Sequence, residues 1–385
     1  MSSQGPTNET AASRPLRLPR ISGRIPSLDG LRALSIGMVL IAHLTGTRNF
    51  PWVEEIGRWQ LGTFGVRVFF VISGFLITTL LLEEADRYGT ISLRGFYMRR
   101  FFRIFPAFYA LCAVLFVLDR TGVIALHSRD LLVAVIYTMN YHRDRAWYVG
   151  HIWSLSVEEQ FYLLWPAVLL FAGIRRGLMA AAAVVLLAPP LRLATGFVAS
   201  FRPGIGETFQ TVADSLATGC LLAGLGPWLA QSPRWRRLLD WRWFWWTVPL
   251  VVAASARNPS AKLEWLVGET VMNVGIALVI ARTIHRPDEP IGRLLNTRPF
   301  VWIGTLSYSL YLWQQVFINR HGTSLPQSFP VNLALTLVVA VASYNLIERP
   351  FLRLRARIER SRRRAPAPTS APAPLDPSGG AAAAG

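Results

Sequence analysis

Apolar residues in this chain gather into long runs separated by short polar stretches. Windows of about 17–25 mainly apolar residues, the length that crosses a bilayer as a helix, recur at 28–45, 64–82, 101–119, 152–172, 177–193, 211–230, 243–257, 265–283, 300–318 and 331–348. They predict ten transmembrane helices. A further apolar stretch, LLVAVIYTMNY at 131–141, is too short to cross and predicts a re-entrant or interfacial helix. The fold class is therefore all-α, a polytopic membrane helix bundle.

Composition supports this class. Of the 385 residues 52% are hydrophobic and only 16% charged, against about 25% charged in soluble domains. The net charge of +18 does not point to nucleic acid, because the arginines cluster between apolar segments rather than along a groove; such clusters set membrane orientation. Placing the N-terminus inside puts most of them in cytoplasmic segments. If 131–141 did cross, GIRRG and SPRWRRLLDWR would face outward. Both termini are thus expected in the cytoplasm, and WRWFWW at 241–246 suits an aromatic belt at the inner interface. The expected location is the inner (plasma) membrane, in multi-pass form.

Residues 1–25 read as a disordered basic arm, 26–352 as the membrane domain, and 353–385 as a basic then Ala/Pro-rich disordered tail that cannot bury a core. The first apolar segment lacks a small-residue cleavage pattern and is expected to stay as an anchor. No attached soluble domain is expected. Cys112 and Cys220 lie in apolar runs and read as unpaired core residues; no Cys/His spacing suggests a metal. No internal repeat is evident, which weakens a transporter of inverted repeats.

The polar residues inside the spans carry the candidate chemistry. LDGLRALSIGMVLIAHL places Arg32 and His43 eleven residues apart, within about 20° of whole helical turns and about 16.5 Å along the axis. They share one face. Charged or titratable groups in a bilayer mark functional sites, although Arg32 could also snorkel and pair with Asp29 while His43 caps the helix. FYMRRFFRIFP puts Arg100 and Arg103 on one face, where planar guanidinium forks can grip phosphate; Arg99 reads as an ordinary anchor. GHIWSLSVEEQFYLLWP places Glu158 and Glu159 at adjacent positions, so they cannot both face one spot. One of them is expected level with His43, orienting the imidazole as in a hydrolase triad.

Together these blocks resemble the membrane acyltransferase-3 family, whose members acylate sugars and natural products. The resemblance runs through the Arg-x10-His of Arg32 and His43, GVRVFFVISGFLITTLL at 65–81, RRFFRIFP, HIWSLSVEEQFYLLWP, GTLSYSLYLWQQ at 304–315 and SYNLIERP at 343–350, in order over about residues 26–352. It implies transfer of an acyl group, acetyl above all, from acyl-CoA to a hydroxyl. His43 corresponds to the essential histidine, Arg32 to the arginine of its motif, and Arg100 and Arg103 to the motif associated with CoA. Implied partners are acyl-CoA, the bilayer and a hydroxyl acceptor: a cell-envelope or exported glycan, or a macrolide-like small molecule. No permanently bound cofactor is implied. This chain departs where some relatives have an acidic residue in place of Arg67 and many have histidine in place of Gln314, so neither position receives a role. The rival from another class is a membrane transporter of a small polar or anionic solute.

Overall fold

The computed structural model describes residues 25–51, 59–198, 204–255 and 263–364. The arm before residue 25 and the tail beyond 364 lie outside them. Among the described residues every regular element is helical. The chain runs through α1 (Pro26–Leu44), α2 (Leu61–Tyr88), α3 (Leu93–Arg120), the short α4 (Asp130–Val135), α5 (Ile152–Ala172), α6 (Ile174–Phe197) and α7 (Phe209–Leu229). It continues through α8 (Pro233–Asp240), α9 (Thr247–Ser255), α10 (Glu269–His285), α11 (Pro290–Leu295), α12 (Arg298–Phe317), α13 (Val331–Ser343) and α14 (Arg349–Arg364).

Among the described residues seven helical segments are long and apolar enough to cross a membrane: Pro26–Leu44, Leu61–Tyr88, Leu93–Arg120, Ile174–Phe197, Phe209–Leu229, Glu264–His285 and Val331–Arg360. Nine of the ten predicted segments lie mainly on helices of spanning length; the one expected at 243–257 shows, as far as it is described, a single turn at Phe244–Trp246 and the nine-residue α9. Two helices of spanning length, α5 with 21 residues and α12 with 20, fall outside the seven. Glu158, Glu159 and Gln160 interrupt one; Ser307, Ser309, Gln314 and Gln315 interrupt the other. Of these, Glu158, Ser307, Gln314 and Gln315 belong to the site described below. The 131–141 stretch forms the six-residue α4 followed by a single turn at Met139–Tyr141, far short of bilayer thickness.

Local sequence explains several boundaries. Pro26 opens α1, where its missing N–H removes no bond and its fixed φ suits the first turn. Ser92 caps α3, accepting the Gly95 N–H at 3.1 Å. A π-turn at Tyr344–Glu348 joins α13 to α14. Its extra residue per turn helps direct the buried Glu348 into the bundle, where it accepts from the Ser309 hydroxyl. The basic segment after 349 continues this helix.

Between lipid-facing helices there is little hydrophobic drive to associate, so small residues that permit close approach matter most. A methyl group at Gly74 of α2 would overlap the Leu216 carbonyl of α7, and one at Gly219 of α7 would overlap the Val71 carbonyl of α2. The two helices therefore cross nearly backbone to backbone. Beside this crossing lies a buried charge cluster. Arg67 pairs with Glu269 at 2.5 Å, and Arg192 with Asp214 at 2.9 Å and with Glu269 at 2.6 Å. Asn273 donates to Asp214 and Arg67 to Ser215. Two cations face two carboxylates, the arrangement an apolar interior demands of ions. The cluster ties α2, α6, α7 and α10 together, which gives Arg67 a structural setting. Cys112 and Cys220 are buried, unpaired thiols.

Candidate active site

Five helices meet around a polar core: α1 with Arg32 and His43, α2 with Ser73, α3 with Arg100 and Arg103, α5 with Glu158, and α12 with Tyr311 and Gln314. Three adjoining cavities, neighbours by the residues they share, lie along it. At the Arg32 end opens a cleft of about 600 Å³, lined by Arg32, Arg99, Arg100, Arg103, Tyr162 and Arg355 among others. A throat of about 80 Å³ follows, sharing Arg32, Arg100, Arg103, Ser73 and Tyr162 with the cleft and adding Glu158. At the His43 end a vestibule of about 540 Å³ shares Val66 and Tyr311 with the throat.

Arg32 retains its local pair, with Asp29 at 3.8 Å, and also lines cleft and throat. Arg100 lies with its guanidinium 3.5 Å from the centre of the Tyr162 ring, a cation–π contact. Neither Arg100 nor Arg103 forms an ion pair with a carboxylate among the described residues, and Arg100 Nε is buried without a hydrogen-bond partner. Arg99 differs: it pairs with Glu84 at 2.7 Å.

The two glutamates diverge, as 100° per residue requires. Glu158 enters the throat, where Ser73 Oγ donates to it at 2.6 Å and the charges of Arg100 and Arg32 lie close. Glu159 instead lines a lateral groove between α3 and α5, with Tyr137 and Gln160; this groove shares Arg100 and Tyr162 with the cleft and the throat. The expected pairing of His43 with one of these carboxylates is therefore corrected: neither hydrogen-bonds to it. The reason is depth. His151, at the head of α5, stands with His43 in the vestibule, and Glu158 follows seven residues later, about 10.5 Å deeper.

The partner of His43 is Gln314, the position that sequence alone left without a role. His43 Nδ1 and Gln314 Oε1 are 2.9 Å apart. The amide's other end, Nε2, donates to the Tyr311 carbonyl at 3.3 Å, so its oxygen is the end facing the ring. His43 Nδ1 thus carries the proton and donates, and Nε2 keeps its lone pair. Nε2 has no hydrogen-bond partner among the described residues. His151 contrasts with it: Nδ1 lies 2.8 Å from Gln315 Oε1 and Nε2 lies 3.1 Å from the Leu312 carbonyl, which engages both nitrogens. Trp147 packs edge-on against His43, with ring centres 5.8 Å apart.

Sequence reasoning missed Ser73, Tyr162, Tyr311, Gln314 and His151 as parts of this core. Their signal was available as polar atoms within apolar helices, as in LYLWQQ; their mutual placement was not. Among the described residues no group of three His, Cys, Asp or Glu is arranged to hold a metal.

This chemistry can be set beside known proteins. A family model described as an acyltransferase domain, of the acyltransferase-3 family, matches residues 25–346. The chain is 30% identical over 365 residues to the O-acetyltransferase OatA of Staphylococcus aureus, covering 85% of this chain and 57% of that protein. It is 27% identical over 368 residues to the peptidoglycan O-acetyltransferase OatA of Listeria monocytogenes, covering 85% and 55%. To the putative peptidoglycan O-acetyltransferase YrhL of Bacillus subtilis it is 28% identical over 361 residues, covering 85% and 54%. The chain thus spans little more than half the length of these relatives. No solved structure matches it. With a family match that takes in α1 to the π-turn, and so every helix that contributes to the cleft, throat and vestibule except α14, the chain belongs to the acyltransferase-3 family.

Proposed function

We propose that the protein is a membrane O-acetyltransferase that accepts a short acyl group from acyl-CoA at the Arg32 end of the bundle and delivers it to a glycan hydroxyl at the His43 end. The observation that carries this reading is the series of three cavities, with Arg100 and Arg103, neither in an ion pair among the described residues, at one end and a histidine whose Nε2 has no hydrogen-bond partner among the described residues at the other. The names of the relatives support acetyl as the group and a cell-envelope glycan as the acceptor. Ten spanning helices with both termini in the cytoplasm complete the reading. It draws on the helices of spanning length found at nine of the ten apolar segments and on the arginine bias of the loops.

In this scheme Arg100 and Arg103 hold the donor phosphates as bidentate charged contacts. The pantetheine arm extends through the throat, whose small volume suits a short acyl group, and brings the thioester past Tyr311. His43 Nε2 removes the proton from the acceptor hydroxyl, and the oxygen attacks the thioester carbonyl. The C–S bond breaks, the proton held on the imidazolium passes to the departing thiolate, and CoA leaves through the cleft. Gln314 holds the reactive tautomer, while Arg32 and Glu158 keep the throat polar and ordered. General-base assistance of this kind is worth roughly 10²–10⁴-fold in rate. Transfer is direct from thioester to alcohol.

Purified protein in lipid nanodiscs, given acetyl-CoA and peptidoglycan fragments, should release free CoA in proportion to the ester formed. Solute movement in liposomes without CoA release under any acceptor would instead favour a transporter and overturn the reading.

A further inference from the structure

Several arginines in this structure lie against carboxylates, Arg99 with Glu84 and Arg282 with Glu289 among them. In the vestibule Arg145 is bound by Glu207 through two 2.7 Å hydrogen bonds. Arg320, just after α12, is different. It lines the same vestibule as His43, yet no carboxylate lies within ion-pair distance among the described residues, and its Nε is buried without a hydrogen-bond partner. Its guanidinium sits 5.0 Å from the centre of the Trp147 ring. Trp147 is itself fixed: its indole N–H donates to the Ile318 carbonyl at 2.8 Å, and the His43 and His321 rings pack against it edge-on. A held indole beside the general base, with a cation against it that has no ion-pair partner among the described residues, matches a sugar ring that carries a negative charge. The apolar ring face meets a saccharide face, and the planar fork of arginine accepts a carboxylate in two parallel hydrogen bonds.

We infer that the vestibule is a subsite for a carboxylate-bearing saccharide, with Arg320 as its specificity-determining residue and Trp147 as its platform. This deepens the proposed acetyl transfer and rests on it for the identity of the vestibule as the acceptor end. Burying a saccharide carboxylate against Arg320 satisfies an orphaned donor and supplies a charge-assisted bond, whereas a neutral sugar leaves that donor unmet.

The test is equilibrium binding to the full chain in nanodiscs, without acyl-CoA. The probes are a fluorescently labelled tetrasaccharide of alternating glucuronic acid and N-acetylglucosamine, and its carboxyl-reduced counterpart. The protein should prefer the acidic probe by about tenfold or more. Arg320→Gln should bring the two affinities within about twofold of each other, and Arg320→Lys, which keeps charge but loses the fork, should retain an intermediate preference. Equal binding of both probes by the unaltered protein, or a preference that survives Arg320→Gln, would overturn the inference. So would displacement of the acidic probe by inorganic phosphate at equal concentration, which would mark a simple anion slot. Because no donor is present, an acid preference found in a protein that never releases CoA would overturn the acetyl-transfer reading and leave the subsite standing.

Discussion

Replacing Gln314 with leucine isolates the role of the His43 tautomer. The side chain is fully buried and makes two contacts, accepting from His43 Nδ1–H at 2.9 Å and donating to the Tyr311 carbonyl at 3.3 Å. Leucine has similar volume and supplies neither. Leaving a buried donor without its acceptor costs about 1–3 kcal/mol, and nothing else among the described residues then holds the proton on Nδ1. The ring is free to carry it on Nε2, where it cannot act as a base. A penalty of about 1–3 kcal/mol corresponds to a loss of roughly 5- to 150-fold in kcat. The KM for acetyl-CoA should stay within about twofold, because Arg100 and Arg103 lie in the cleft and throat rather than the vestibule. Gln314→Glu keeps an acceptor oxygen at the same reach and should recover most of the turnover. The assay is CoA release in nanodiscs, with thermal unfolding of each variant confirming an intact fold. A folded Gln314→Leu protein that turns over within about threefold of the original would show that Gln314 does not set the tautomer, and the general-base assignment would lose its support.

Removing the base itself, by His43→Ala, should lower acetyl transfer by at least about 10²-fold while the protein still inserts and accumulates; substantial turnover in that variant would remove His43 from the mechanism. Changing Arg100 and Arg103 together to alanine should raise the acetyl-CoA KM more than it lowers kcat, since phosphate contacts act alike in ground and transition states. Arg99→Ala, which breaks only the pair with Glu84, should have the smaller effect in the same titration. Asp214→Ala strips Arg192 of a carboxylate partner in the buried cluster, and such losses cost about 3–5 kcal/mol. A markedly lower unfolding temperature in detergent is expected, and an unchanged one would mean that water reaches the cluster.

The sequence by itself determined what is local. Run lengths placed the helices, and helical periodicity put Arg32 with His43 and Arg100 with Arg103 on shared faces; both follow from 3.6 residues per turn and need no neighbour. Ordered motifs along the chain pointed to the family. The divergence of Glu158 and Glu159 was legible for the same reason, but not which cavity each would enter. Tertiary structure alone decided the partners across helices: Gln314 rather than a glutamate for His43, Glu158 with Ser73 in the throat, and Arg67 in a cluster with Glu269. These depend on how deep and at what rotation one helix sits against another. Packing sets both, through contacts such as the Gly74 and Gly219 crossing of α2 on α7. The π-turn at Tyr344–Glu348 adds a further rotation that no fixed period predicts. A depth error of about two turns moved Glu158 from the vestibule to the throat, because each helical turn carries a side chain about 5.4 Å along the bundle.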